Sequence, residues 1–164
     1  MIVKKIASSQ GFTVLELVLV IVIIGVILAV TVTPNWTGTS LRIEFEARRV
    51  LNDIRYAQAM SMASGQRYRW VRTSATSYQI TDEAGSPIML ANGGTTLTLS
   101  GDVSLGSFTN LPNNLVAFDS RGTPYTDSSY PGTALGANAV IPVTNGSETH
   151  NVLVAPTTGY GAVQ

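Results

Sequence analysis

One carboxylate, Glu16, stands in an otherwise uncharged apolar stretch, residues 12–32. An acid held near the middle of a bilayer costs up to roughly 2.5–3.5 kcal/mol, so an intramembrane Glu reads by default as a working residue. The chemistry that suits it is ion pairing with an amine. Cutting the chain after Gly11 would make one, on Phe12, four residues away. A second group interleaves cations with rings: Arg67-Tyr68-Arg69-Trp70-Val71-Arg72. On a strand, Arg67 and Arg69 share one face, while Tyr68, Trp70 and Arg72 share the other. That second face could stack bases and hold phosphate as single-strand binders do; alternatively, the rings are core and the arginines rim. A third group centres on His150, the only histidine, near Glu148 in a chain without cysteine.

The elements that must position these residues begin with a short basic leader, residues 1–11, carrying Lys4 and Lys5. In a secretory signal the small-residue cleavage site follows the apolar core. Here Gly11 precedes it, so cleavage would leave the apolar segment on the mature chain. Residues 12–32 form a helix of about 31 Å, enough for the roughly 30 Å hydrocarbon layer. The lysines keep the leader side in the cytoplasm and send the rest outward. Gly25 and Pro34 punctuate the segment, with Pro34 kinking or ending the helix, and Trp36 falls where an interfacial aromatic belongs. A plain anchor with Glu16 at the headgroups is the simpler alternative, but it leaves the Gly11-Phe12 junction unexplained.

These residues carry a resemblance. Gly11-Phe12-Thr13-Val14-Leu15-Glu16 and the apolar run after it resemble the N terminus of type IV prepilins and type II secretion pseudopilins. The resemblance implies a membrane peptidase that cuts after Gly11 and methylates Phe12, with Glu16 as the family's N-terminal glutamate. It also implies an inner-membrane protein crossing once, its head in the bacterial periplasm. An assembly platform and ATPase would then extract it into a pilus or pseudopilus among other pilins. Subunits packed by such helices would bury the Glu16 carboxylate and a neighbour's Phe12 amine together, and removing one partner of a buried ion pair typically costs about 3–5 kcal/mol.

Helical spacing resumes after residues 37–40, with Ile43, Ala47, Val50, Leu51, Ile54 and Ala57 on one face. Arg48, Arg49, Asp53 and Arg55 fall mostly on other faces. Ser40 is the expected N-cap and Gly65 the expected stop. Strands are expected at 67–72, 77–81, 88–91, 95–99, 115–118, 139–143 and 151–155. Asn145-Gly146 marks a hairpin, Asn92-Gly93-Gly94 marks a tight turn, and residues 119–138 form a long loop or an interrupted hairpin. The expected fold is α+β: a long N-terminal helix, half transmembrane and half amphipathic, packed on an antiparallel sheet. The divisions are a leader at 1–11, a transmembrane or filament-core helix at 12–36, and the amphipathic helix with its β-rich head at 37–164.

Within the head, residues 51–60, Phe118-Asp119-Ser120-Arg121-Gly122 and Thr158-Gly159 are similar to minor pseudopilins of the GspH/FimT type and to minor pilins of mannose-sensitive haemagglutinin pili. That group tends to carry Ala-Arg late in the helix; here Gln58 follows Ala57. The resemblance implies a minor subunit acting at the tip or in initiation. It also raises a DNA-binding or adhesive alternative through Arg67, Arg69 and Arg72, since some FimT-type minor pilins take up DNA. DNA is not the favoured partner, because residues 159–164 carry no positive charge.

Composition narrows the remaining classes. The 164 residues carry ten basic and ten acidic side chains, so bulk charge does not indicate nucleic acid. The charge is uneven: seven arginines and three acids between Arg42 and Arg72, then only Arg121 against six acids. Without cysteine the head depends on packing alone. A triad through His150 lacks a nucleophile elbow, no ligand spacing recurs for a metal, and the loop carrying Asp119 and Asp127 lacks the alternating acids of an EF-hand. The expectation is therefore no catalysis, no cofactor and no metal.

Overall fold

A computed structural model of the chain describes residues 13–31, 38–90 and 93–164. Lys4, Lys5, Gly11, Phe12, Pro34, Trp36 and any join between the two helices lie outside the described residues. The chain divides into two compact units, Met1–Thr37 and Gly38–Gln164.

Among the described residues the first unit contains one helix, α1, Val14–Thr31. Thr13 caps it: the Glu16 amide donates to the Thr13 hydroxyl at 3.3 Å and to the Thr13 carbonyl at 3.1 Å. The helix runs unbroken through Gly25. Among the described residues no helix is long and apolar enough to cross a membrane. Helix α1 holds 18 residues, about 27 Å, and Phe12 and Val32, the ends of the expected span, are not described.

The second unit is built on α2, Gly38–Ser64. Its buried stripe is the expected one, Ile43, Ala47, Val50, Leu51, Ile54 and Ala57. The helix starts at Gly38, so Ser40 is not its N-cap; Ser40 lies in the first turn and donates to a Glu148 carboxylate oxygen at 2.8 Å. The stop at Gly65 holds, in the left-handed region at φ 72°. Asp53 differs from expectation: it turns far enough inward to accept a 2.6 Å hydrogen bond from the Tyr78 hydroxyl.

Two antiparallel sheets replace the single sheet expected. The first joins β1 (Tyr68–Arg72), β2 (Ser77–Thr81), β3 (Thr96–Thr98), β5 (Leu115–Phe118) and β6 (Pro124–Tyr125) in the order β3-β2-β1-β5-β6. The second joins β4 (Ser104–Leu105), β7 (Ala139–Thr144), β8 (Thr149–Val154) and β9 (Gly161–Val163) in the order β4-β7-β8-β9. The Asn145-Gly146 hairpin links β7 and β8, and the 119–138 segment is the interrupted hairpin, with β6 folding back on β5. Residues 88–90 are not a strand; the Ile88 amide bonds Ile80 O at 2.9 Å beside a bridge at Pro87, which folds them back on the end of β2. The three strands that spacing did not indicate, β4, β6 and β9, are two or three residues long, too short to show alternation.

The core lies where both sheets meet α2. Trp70 and Tyr78 stack at 5.0 Å and Trp70 and Phe108 at 5.8 Å, and Ile141, Val143, Val152 and Val154 arrive from the second sheet. Ser61 ties helix to strand: its hydroxyl donates to Ala57 O at 3.0 Å and accepts the Tyr68 amide at 3.0 Å, fully buried. Ser61→Ala therefore strands a buried amide, and chemical denaturation is expected to show a loss of about 1–3 kcal/mol, with secondary structure retained.

Candidate functional site

Helix α1 exposes every large apolar side chain from Val14 to Ile27, on all sides of the helix. A helix apolar all round belongs among other apolar elements. Its one acid sits in the first turn, where the helix dipole favours a negative charge. Thr13 and Glu16 occupy the Thr-x-x-Glu positions of a capping box. A Cβ on Gly25 would meet nothing within 4 Å, so no packing inside the described chain requires glycine there, although glycine costs a helix about 1 kcal/mol relative to Ala.

The three arginines of the interleaved segment do not gather on one open face. Arg67 is buried; its guanidinium donates to the carbonyls of Ser129 and of Pro131, the latter at 3.1 Å, and lies 4.3 Å from the Tyr125 ring centre. Arg69 donates to Glu83 O. Arg72 donates to Gly106 O at 2.9 Å, Leu105 O at 3.0 Å and Ser74 O at 3.0 Å. Each guanidinium thus ties β1, or the residue just before it, to backbone carbonyls of other segments. Tyr68 and Trp70 face the core, so base stacking on them, the chemistry that alternation on β1 allowed, is closed by burial.

The three head segments that carried the family resemblance converge in space. The Gln58 side-chain amide donates to Gly122 O at 2.9 Å and Thr158 O at 2.8 Å, joining the β5–β6 turn to the β8–β9 turn from α2. Gly159 has φ 65°, and a Cβ there would lie 2.5 Å from that amide and 2.9 Å from both Gly122 O and the Phe118 ring. Within the β5–β6 turn, Asp119 accepts the Arg121 and Thr123 amides, each at 2.9 Å, and the Tyr125 hydroxyl at 3.3 Å. Burial works to raise its pKa, but these bonds together with Arg121 hold it below the ordinary value. Asp127 is also held low, chiefly by hydrogen bonding from Thr133, side chain first and then backbone. Both carboxylates brace their own loops.

Two acids lie along the inner side of α2: Glu46, which the spacing did not single out, and Asp53, which it put on another face. Glu46 is fully buried; it accepts the Ser100 amide at 3.2 Å, the Ser100 hydroxyl, and an Arg49 guanidinium N–H at 3.4 Å. Burial raises the Asp53 pKa, opposed by the Tyr78 hydrogen bond and by Arg49. Desolvation, then the bond to Asp53, pushes the Tyr78 phenol upward. The signal was present, since Glu46 sits three residues after Ile43 and four before Val50. His150 lies in β8 opposite Val143. Among the described residues no group of three His, Cys, Asp or Glu side chains could hold a metal ion.

Residues 46–158, more than half of the chain, match the family described as Type II transport protein GspH. The chain belongs to the GspH family. No curated protein matches it. Among solved structures it is similar to the type IV minor pilin FimU of Pseudomonas aeruginosa in two crystal forms. One has a TM-score of 0.51 at 10% identity, covering 74% of this chain and 91% of that one. The other has a TM-score of 0.52 at 9% identity, covering 77% and 89%. At such identity the likeness is one of fold, and the matched GspH region takes in Gln58 and the two residues whose carbonyls it joins, Gly122 and Thr158.

Two outcomes follow for this GspH-family head. Gly159→Ala should destabilise it more than Gln58→Ala in urea unfolding, because the first forces backbone and ring to move, whereas the second removes two hydrogen bonds, about 1–3 kcal/mol. A carboxyl held below its ordinary value of 3.8 stabilises the fold fully above that pH and loses the contribution as acid protonates the folded state. Asp53, held above it, has the opposite sign. Asp119→Asn should therefore flatten the loss of stability below about pH 4, and Asp53→Asn should leave that limb in place; acid titration of the two variants separates them.

Proposed function

We propose that this GspH-family chain is a minor pilin or pseudopilin, a structural subunit of a type IV pilus or type II secretion pseudopilus, acting at the tip or in initiation. The observation that carries the reading is α1, a helix with apolar side chains on every side and one carboxylate in its first turn. Such a helix suits lipid first and sister helices later. In this reading residues 12–36 cross the bacterial inner membrane once, the head stands in the periplasm, and a prepilin peptidase cuts after Gly11 and methylates Phe12. Assembly exchanges one apolar environment for another, so the assembly platform must supply outside work. Glu16 then pairs with the Phe12 amine of a neighbour and fixes the axial register. Gly25 supports the same picture, since a small residue lets apolar helices approach closely. The reading involves no catalysis.

Occupation of Arg67, Arg69 and Arg72 by backbone carbonyls supports a structural role for them over phosphate binding. The test is made in cells. Glu16→Ala should be cleaved and inserted normally, with a mature chain beginning at Phe12 by mass spectrometry, yet be lost from sheared filaments by a hundredfold or more, the scale of roughly 3–5 kcal/mol for one missing partner of a buried pair. Filament incorporation at the parental level, or a chain retaining residues 1–11, would overturn the reading.

A further inference from the structure

Beyond the filament reading, and independent of it, the head has a cleft. Three residues past the end of α2, Arg67 and the β5–β6 turn border an open space of about 310 Å³, at the small end of the roughly 300–1,000 Å³ usual for ligand sites. Its polar groups are unequally committed. Arg67 is engaged with carbonyls, and Asp119 has both oxygens filled, one by the two amides and the other by Tyr125 and Arg121. What remains is a surplus of donors. The Arg121 guanidinium is 81% exposed and makes a single 3.4 Å contact with Asp119, out of five N–H donors. Beside it are the exposed Ser120 and the Tyr130 ring, 85% exposed and backed by Arg67 at 5.5 Å.

We propose that this cleft binds an acidic saccharide, specifically a uronic-acid ring. The planar carboxylate fits the Arg121 fork, the apolar face of the sugar lies on Tyr130, and a neighbouring sugar hydroxyl meets Ser120. A backed ring that is otherwise open is a platform for such a face. Nucleic acid fits less well. Tracking a phosphate backbone takes several cations, whereas beyond Arg72 the chain has Arg121 as its sole Lys or Arg.

The test is calorimetric titration of the full-length protein in detergent micelles with tetragalacturonate, maltotetraose, sodium acetate and an oligothymidylate. Saturable binding of tetragalacturonate is expected, at least about tenfold tighter than maltotetraose and weakened about tenfold or more by Arg121→Ala and by Tyr130→Ala. Both side chains are exposed, and unchanged melting curves would confirm that the fold is not at issue. No saturable binding at millimolar concentrations, equal affinity for maltotetraose, or indifference to either substitution overturns the proposal. Displacement by equimolar acetate, or tighter binding of the oligothymidylate through the same residues, overturns it as well.

Discussion

Burial of α2 against two sheets is the constraint on which the head depends. The sheets have no strand in common, and the helix stripe from Ile43 to Ala57 gives both of them a shared apolar wall. Apolar contact of this kind is strong but not directional. Direction comes from polar tethers set along the same helix: Glu46 to Ser100, Asp53 to Tyr78, Arg55 to Gly161 O at 2.8 Å, Gln58 to two turns, and Ser61 to β1. Slipping the helix along its axis would break all of them at once, leaving buried polar groups without partners.

That arrangement explains what the amino-acid order made legible. The stripe of α2, the helix stop at Gly65, strands β1, β2 and β5 and the hairpin at Asn145-Gly146 follow from spacing and turn chemistry, which are local. The separation into two sheets does not, because it depends on β4, two residues long, pairing with β7 some forty positions later. Strand alternation placed Tyr68 and Trp70 on one face, but which face meets the helix is a matter of tertiary packing. Glu46 was visible as a letter on an apolar stripe, whereas spacing put Asp53 on another face; their partners, Ser100 and Tyr78, lie in distant segments. The same limit applied to Gln58, legible only as a departure from a family pattern until its two carbonyl partners were in place.

The two units divide the physical work. The head satisfies its buried polar side-chain atoms almost entirely from within; among the described residues the exceptions are Arg69 Nε, Trp70 Nε1 and Thr81 Oγ1. Helix α1 does the reverse, leaving its apolar surface for something else to cover. A chain with this asymmetry has a self-sufficient part and a dependent part, and GspH-family membership rests on the first while the filament reading rests on the second.

This chain holds its two turns to α2 with the carboxamide of Gln58. An amide needs no counterion and carries no field for dissolved ions to shield. The two hydrogen bonds that join the β5–β6 and β8–β9 turns to α2 are thereby less open to ionic screening than a charged tether would be.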